Sequence, residues 1–152
     1  MTPLRLGPTS PDIPRVLDLL RRAFAGMEGR IDPPSSLARM QSEDLARAAE
    51  TAELWILPGP LACMILTPRP DHLYLGKLAV DASARGRGLA RWMIAHAATR
   101  AAALDLPALR LQTRIELTEN HATFTRLGFT EIARTAHPGY DRPTSLTFER
   151  RI

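Results

Sequence analysis

Leu78-Ala79-Val80-Asp81-Ala82-Ser83-Ala84-Arg85-Gly86-Arg87-Gly88-Leu89-Ala90 runs from an apolar, strand-like segment through a glycine-rich bend into the start of a helix. Glycine lets a backbone approach a ligand closely, and the first N–H groups of a helix have no partner inside it. Those free donors, the positive end of the helix dipole and the two arginines Arg85 and Arg87 make a seat for a phosphate or pyrophosphate. Neither familiar nucleotide fingerprint fits. A dinucleotide motif counted from Gly86 needs a glycine where Arg91 stands, and a phosphate loop needs a lysine followed by serine or threonine.

The segments around this bend read as a mixed sheet with helices on both faces. Leu4 to Leu6 is a short strand, and Ser10-Pro11 is an N-cap with proline at the first helical position. Ile13, Val16, Leu17, Leu20 and Phe24 supply the helical spacing that follows. Gly26 to Pro34 is a loop, and a second helix is expected over 36–50. Leu54–Leu57 and Leu61–Thr67 flank the turn Pro58-Gly59-Pro60, and His72–Val80 is the next strand. The helix after Gly88 is expected to bury Leu89, Trp92, Met93, His96, Ala97, Ala101 and Leu104 on one face. Leu109–Thr113 is a strand, Thr118 caps a short helix that stops at Gly128, and Phe129–Thr135 and Ser145–Arg150 are two last strands. Only the two strands bracketing the Gly88 helix require a parallel crossover.

Composition narrows the function classes. The chain has 152 residues, 45% hydrophobic and 24% charged, which is the size and make-up of one ordinary globular domain. The first residues, Met1 to Pro14, hold four prolines and no apolar signal-like run, and no stretch is long enough to span a bilayer. A cytoplasmic protein without a membrane partner is the expectation. Cys63, the single cysteine, lies in an apolar run and reads as a buried small hydrophobe in a reducing compartment. The net charge of +4 raises the question of nucleic acid. Yet the basic residues are scattered from Arg5 to Arg151, with one cluster, Arg85, Arg87 and Arg91, at the bend itself, so nucleic acid is disfavoured. The four histidines and Cys63 show no metal-ligand spacing, and no metal is expected.

In its strand–bend–helix setting, the bend resembles the acetyl-CoA site of the GNAT superfamily of N-acetyltransferases. That family's pattern is Gln/Arg, two residues, Gly, one residue, Gly/Ala, and Arg85, Gly88 and Ala90 fill it. A later segment, Asn120-His121-Ala122-Thr123-Phe124-Thr125-Arg126-Leu127-Gly128-Phe129, is similar to the family's Asn-x-Ala-x-x-Phe-Tyr-x-x-x-Gly-Phe, one residue shorter before the glycine. The resemblance implies a mixed α/β fold. Its sheet would have seven strands, mostly antiparallel, with helices on both faces and a central parallel pair splayed apart. Residues 1–152 would then form a single acyl-CoA N-acyltransferase domain.

The resemblance also implies roles for particular residues. Leu78, Ala79 and Val80 would pair their backbone with pantetheine, an N–H near Ala79 or Val80 polarising the thioester carbonyl. Amides from Arg85, Gly86, Arg87, Gly88, Leu89 and Ala90 would hold the pyrophosphate. Asn120 would contact the pantetheine arm, with Phe124 and Arg126 along the co-substrate, acetyl-CoA. The family's usual tyrosine acid falls at Thr125, whose hydroxyl is far too weak an acid for that role. Tyr140 in the last loop is the candidate substitute, and the alternative is a CoA-binding sensor or interaction domain with weak or no turnover. For the base that deprotonates an amine acceptor, Glu28, Asp32 and Glu116 are candidates, with Glu116 first because it lies just past a strand end beside the splay. His137 shares the Tyr140 loop, whereas His96 reads as packed and hydrogen-bonded and His121 as exposed. Arg30, Arg114 and Arg142 hint at an acceptor bearing a carboxylate or phosphate. The expected reaction is acetyl transfer from acetyl-CoA to a primary amine of a small molecule or peptide, by direct attack. A homodimer stays open.

Overall fold

A computed structural model describes residues 2–152. In chain order it contains β1 (Leu4–Leu6), α1 (Ile13–Phe24), α2 (Ser42–Thr51), β2 (Glu53–Leu57), β3 (Ala62–Pro68) and β4 (Leu73–Val80). These are followed by α3 (Leu89–Ala103), β5 (Ala108–Arg114), α4 (Thr118–Arg126), β6 (Thr130–Thr135) and β7 (Ser145–Arg151). The seven strands form one sheet in the order β1-β2-β3-β4-β5-β7-β6. Every neighbouring pair is antiparallel except β4 and β5.

Each face of the sheet carries its own apolar cluster. On one side Val16, Leu19 and Leu20 of α1 and Leu45 of α2, all fully buried, pack on Leu54, Ile56 and Ala79. On the other, Met93, Ile94, Ala97 and Ala101 of α3 pack on Leu57, Met64, Leu73 and Leu109. Burying one such leucine contributes about 1.5–3 kcal/mol.

Local signals were displaced in several places. Helix α1 starts at Ile13, because Ser10 Oγ accepts the Asp12 N–H at 3.2 Å and holds Ser10–Asp12 in a turn. Pro14 then takes the early helical position that tolerates a missing N–H. The helix expected over 36–50 is two pieces, a single 3-10 turn at Ser36–Arg39 and then α2, broken where Met40 and Gln41 are extended. Thr118 is the first residue of α4 rather than its cap, which is Leu117. Trp92 and Leu104 are 39% and 37% exposed, against expectation. The buried stripe of α3 is Leu89, Met93, Ile94, Ala97 and Ala101. Trp92 lies roughly 140° around the helix from that stripe's centre at 100° per residue, and Leu104 sits past the helix end as its C-cap.

The parallel pair sets up everything that follows. Strands β4 and β5 are in register only at Leu73–Leu109 and Tyr74–Arg110. Beyond that point β5 stays with β7 through seven successive pairs, Ala108–Arg151 to Arg114–Ser145, while β4 stays with β3. The ladder shifts register between Cys63 and Ile65, where Lys77 and Leu78 oppose one residue of β3. Lys77 takes φ +53°, the left-handed conformation that lets such a bulge turn the strand.

Candidate active site

The splay opens a cavity of about 430 Å³ between the two strands. Gly76, Lys77 and Leu78 of β4 form one wall, and Gln112, Thr113 and Arg114 of β5 the other. Backbone groups of β4 that would have paired with β5 are left free here, a row of donors and acceptors for an amide-bearing chain. Asn120 and Phe124 of α4 line the cavity too, Asn120 donating its Nδ2–H to Thr113 Oγ1 at 3.3 Å. Phe124 packs on Phe129 and Phe148, which fixes its ring.

Past the end of β4 lies the glycine bend. Gly86 and Gly88 have φ +78° and +74°, and nothing stands within 4 Å of where a Cβ would be at either. The need for glycine is therefore conformational, and the space in front of the loop is open. The first α3 bond runs from Trp92 N–H to Gly88 O at 3.0 Å, so the amides of Leu89, Ala90 and Arg91 are the free donors of the helix start. Arg85 and Arg87 are exposed at its rim, whereas Leu89 is buried and Ala90 half-buried. Open space, free amides and two left-handed glycines fit a diphosphate.

The remaining expected site residues divide sharply. Leu78 lines the cavity, but Ala79 is buried beneath the α1 face and Val80 packs against the α3 cluster. Arg126 is exposed and donates to Thr123 Oγ1 at 3.3 Å. Thr125 faces away from the cavity. It lines a separate groove against β6 and donates its hydroxyl to His121 O at 2.8 Å. Of Phe124 and Thr125 it is Phe124 whose side chain meets the slot, so what the slot lacks on this helix is a phenol at Phe124 rather than at Thr125.

Glu116 and Tyr140 do not line the cavity; both hold the loop after α1. Tyr140 donates its hydroxyl to Asp32 Oδ1 at 2.6 Å, and Arg142 reaches Asp32 Oδ2 at 2.9 Å. The Asp32 carboxylate beside the phenol pushes the Tyr140 pKa up, making it a poorer acid. Glu116 Oε2 accepts the Asp32 N–H at 3.1 Å, while Glu116 Oε1 is buried without a partner among the described residues. Arg30 pairs with Glu119 at 2.7 Å. Glu28 is exposed at the rim of a neighbouring cavity.

His137 does reach the slot, with Ser35 and Ser36 of the opposing loop. Its Nδ1 meets Thr144 Oγ1, which also accepts the His137 N–H at 2.9 Å and donates to Thr135 O at 3.4 Å. In the tautomer whose Nδ1–H donates to Thr144 Oγ1, with the threonine proton directed at Thr135 O, Nε2 carries the free lone pair. His121 is half-buried rather than exposed, with its Nε2 3.0 Å from Arg114 O. His96, by contrast, packs edge-on against Trp55 on the far face, its ring centroid 4.2 Å away, but its Nε2 is buried without the expected hydrogen-bond partner among the described residues. Burial, then the Arg100 charge, pushes the His96 pKa down.

The fold is similar to that of an acetyltransferase from Streptococcus agalactiae 2603, with TM-score 0.75, 16% identity, and 99% of this chain and 98% of that one covered. A GNAT family acetyltransferase from Elizabethkingia anophelis with acetyl-CoA bound gives TM-score 0.69 at 16% identity over 99% and 97% of the two chains. The ribosomal-protein-S18-alanine N-acetyltransferase from Escherichia coli gives 0.69 at 19% identity over 99% and 94%. No curated protein sequence matches. No helix among the described residues is long and apolar enough to cross a membrane. The model of the acetyltransferase (GNAT) family matches residues 13–129, and the chain belongs to that family.

Proposed function

We propose that this protein transfers acetyl from acetyl-CoA to a primary amine, with His137 as the general base. The observation that carries the reading is the slot itself: a diphosphate seat at the Gly86–Gly88 bend, unpaired β4 backbone along the arm, and His137 facing the same cavity. The acetyl-CoA bound to the Elizabethkingia anophelis relative supports the choice of donor. Acetyl-CoA would lie with its phosphates on the amides of Arg85–Ala90 and its pantetheine against Gly76–Leu78 and Asn120. His137 Nε2 takes a proton from the acceptor ammonium, and the freed amine attacks the thioester carbonyl. The C–S bond breaks, CoA leaves as its thiolate, and the second proton of the amine passes to solvent as the amide forms. With Phe124 at the slot no phenol on α4 protonates it, but a thiol of pKa about 8.5 leaves without such help near neutral pH.

A second base has one observation behind it, the unpartnered Glu116 Oε1. Free-thiol release from acetyl-CoA across an amine panel, run with His137→Gln and Glu116→Gln, separates the two. His137→Gln should cost about 10²–10⁴ in kcat, with acetyl-CoA still raising the melting temperature, while Glu116→Gln stays within about tenfold. The reverse ranking moves the base to Glu116. Stabilisation by acetyl-CoA with no thiol release from any amine leaves the CoA-binding sensor as the reading.

A further inference from the structure

The acceptor end of the slot holds two cations and no anion to match them. Lys77 is the chain's single lysine, and the β4 bulge brings it into the cavity lining beside Arg114. Of the arginines that the sequence brought forward here, Arg30 is neutralised by Glu119 and Arg142 by Asp32. Arg114 has no such partner among the described residues. It donates to two carbonyls, Pro33 O at 2.6 Å and Pro34 O at 3.4 Å. Burial, and after it the like charge of Arg114, pushes the Lys77 ammonium's pKa down. A partly buried cation facing a cavity, with a like charge beside it, is costly unless an anion is supplied.

Acetyl-CoA does not supply it. Its phosphates belong to the bend beyond the end of β4, and pantetheine carries no charge. Next to the two cations lies a second cavity of about 620 Å³, sharing Phe24, Met27, Ser35 and Leu37 with the first and continuing over Ile31 and Pro34. That wall is largely apolar. Its volume takes a side chain of aromatic size with room to spare.

We propose that the acceptor is a free amino acid with an apolar side chain, its carboxylate seated between Lys77 and Arg114 and its side chain in the Phe24–Ile31–Leu37 cavity. A carboxylate suits the seat better than a phosphate. The charged donors on offer are one ammonium and a guanidinium already turned toward two carbonyls, two cationic groups that match the two oxygens of a carboxylate. This inference rests on the amine-acetylation reading, and it excludes the α-amino group of a protein chain, whose carboxylate is spent in the peptide bond.

The test measures kcat/KM by thiol release for L-phenylalanine, L-leucine, glycine, L-phenylalaninamide and 2-phenylethylamine. The expected result is at least a tenfold preference for phenylalanine or leucine over glycine, from the apolar cavity, and over both amines that lack a carboxylate, in line with a charge-assisted contact. The ratio of acid to carboxylate-free amine should collapse toward one in Lys77→Gln and survive in Lys77→Arg, with the difference residing in the acceptor KM. Carboxylate-free amines accepted as well as the acids, no acid accepted at all, or that ratio unmoved in Lys77→Gln each overturns the proposal. Those results leave acetyl transfer standing wherever some amine still releases thiol. Acetyl-CoA that fails to raise the melting temperature would instead remove the reading beneath it.

Discussion

Replacing Gly88 by alanine tests the diphosphate seat without touching any side chain. At φ +74°, with nothing within 4 Å of the new Cβ, the substitution meets strain but no clash. A non-glycine residue in the left-handed region costs about 1–2 kcal/mol. At about 2–4 °C per kcal/mol for a chain of this length, the unliganded variant should melt about 2–8 °C lower. Relief of that strain turns the amides away from the ligand, and losing one charge-assisted N–H contact of about 1.5 kcal/mol weakens acetyl-CoA roughly tenfold. At a ligand concentration of 100 times the wild-type Kd, the wild type gains about 2.7 kcal/mol and the variant, now at ten times its Kd, about 1.4 kcal/mol. The acetyl-CoA-induced rise in melting temperature should therefore fall by about half. Gly139→Ala is the matched control: φ is +86°, its Cβ also enters open space, and it sits in the β6–β7 loop away from the bend. It should lose the same intrinsic stability and keep the whole ligand-induced rise. Equal rises in the two variants, read by thermal-shift titration, would refute the bend as the phosphate seat.

Arg100→Met should cost about 3 kcal/mol, the low end for breaking a buried pair, because Glu53 is 5% exposed and Arg100 grips it at 2.7 and 2.9 Å while keeping its own edge in water. Burial pushes the Glu53 pKa up, but Arg100 and the Trp55 indole N–H pull it further down, so the folded value lies below the unfolded one. The pair's contribution is thus full above the unfolded value of about 4.3 and is lost as pH falls through the folded one. Urea-unfolding curves of the wild type and variant should converge in that acid range. Burial also pushes the Cys63 thiol up to about 12, so a thiol reagent at pH 8 should label the protein only after unfolding. Tyr140→Phe and Asp32→Asn should each lower kcat by less than about tenfold, and the double variant no further than Asp32→Asn alone, since both disturb the Tyr140–Asp32 contact and Asp32→Asn also loses the Arg142 ion pair. Multiplied losses, with the alkaline limb of the pH profile moved by Tyr140→Phe, would make Tyr140 the acid after all.

The segment proposed to seat the donor was legible because it is local. A strand, a bend that needs left-handed glycines and a helix start lie within 78–90, and each announces itself by residue type. The motif around α4 was legible as a motif but not in orientation. One residue of shortening rotates a helical position by about 100°, and that difference puts Phe124 rather than Thr125 at the slot. Trp92 shows the same weakness, since an apolar residue three positions from Leu89 fits a helical face in the sequence yet falls outside the buried stripe. The bulge at Lys77 had no signal at all, because lysine is not a residue that announces φ +53°.

The acceptor half was not legible for a different reason: its contacts join segments that are distant along the chain. Asp32 meets Tyr140 and Arg142 across 108 and 110 residues, and Arg114 reaches Pro33 across 81. No local pattern specifies such a contact; it exists only once the sheet has placed the α1 loop opposite the β6–β7 loop. This also explains why charge counting over the sequence misled in detail. Arg30, Arg114 and Arg142 look equivalent in the chain, but two of them are spent bracing the loop against α4 and the β6–β7 turn. What survives that subtraction is Arg114 together with Lys77, which the sequence alone gave no cause to single out. On the proposed reading the donor end works through backbone, which tolerates wide changes of side chain as long as the glycines remain. The proposed acceptor end draws on side chains from four separate segments, which would put the choice of amine where single substitutions have the most effect.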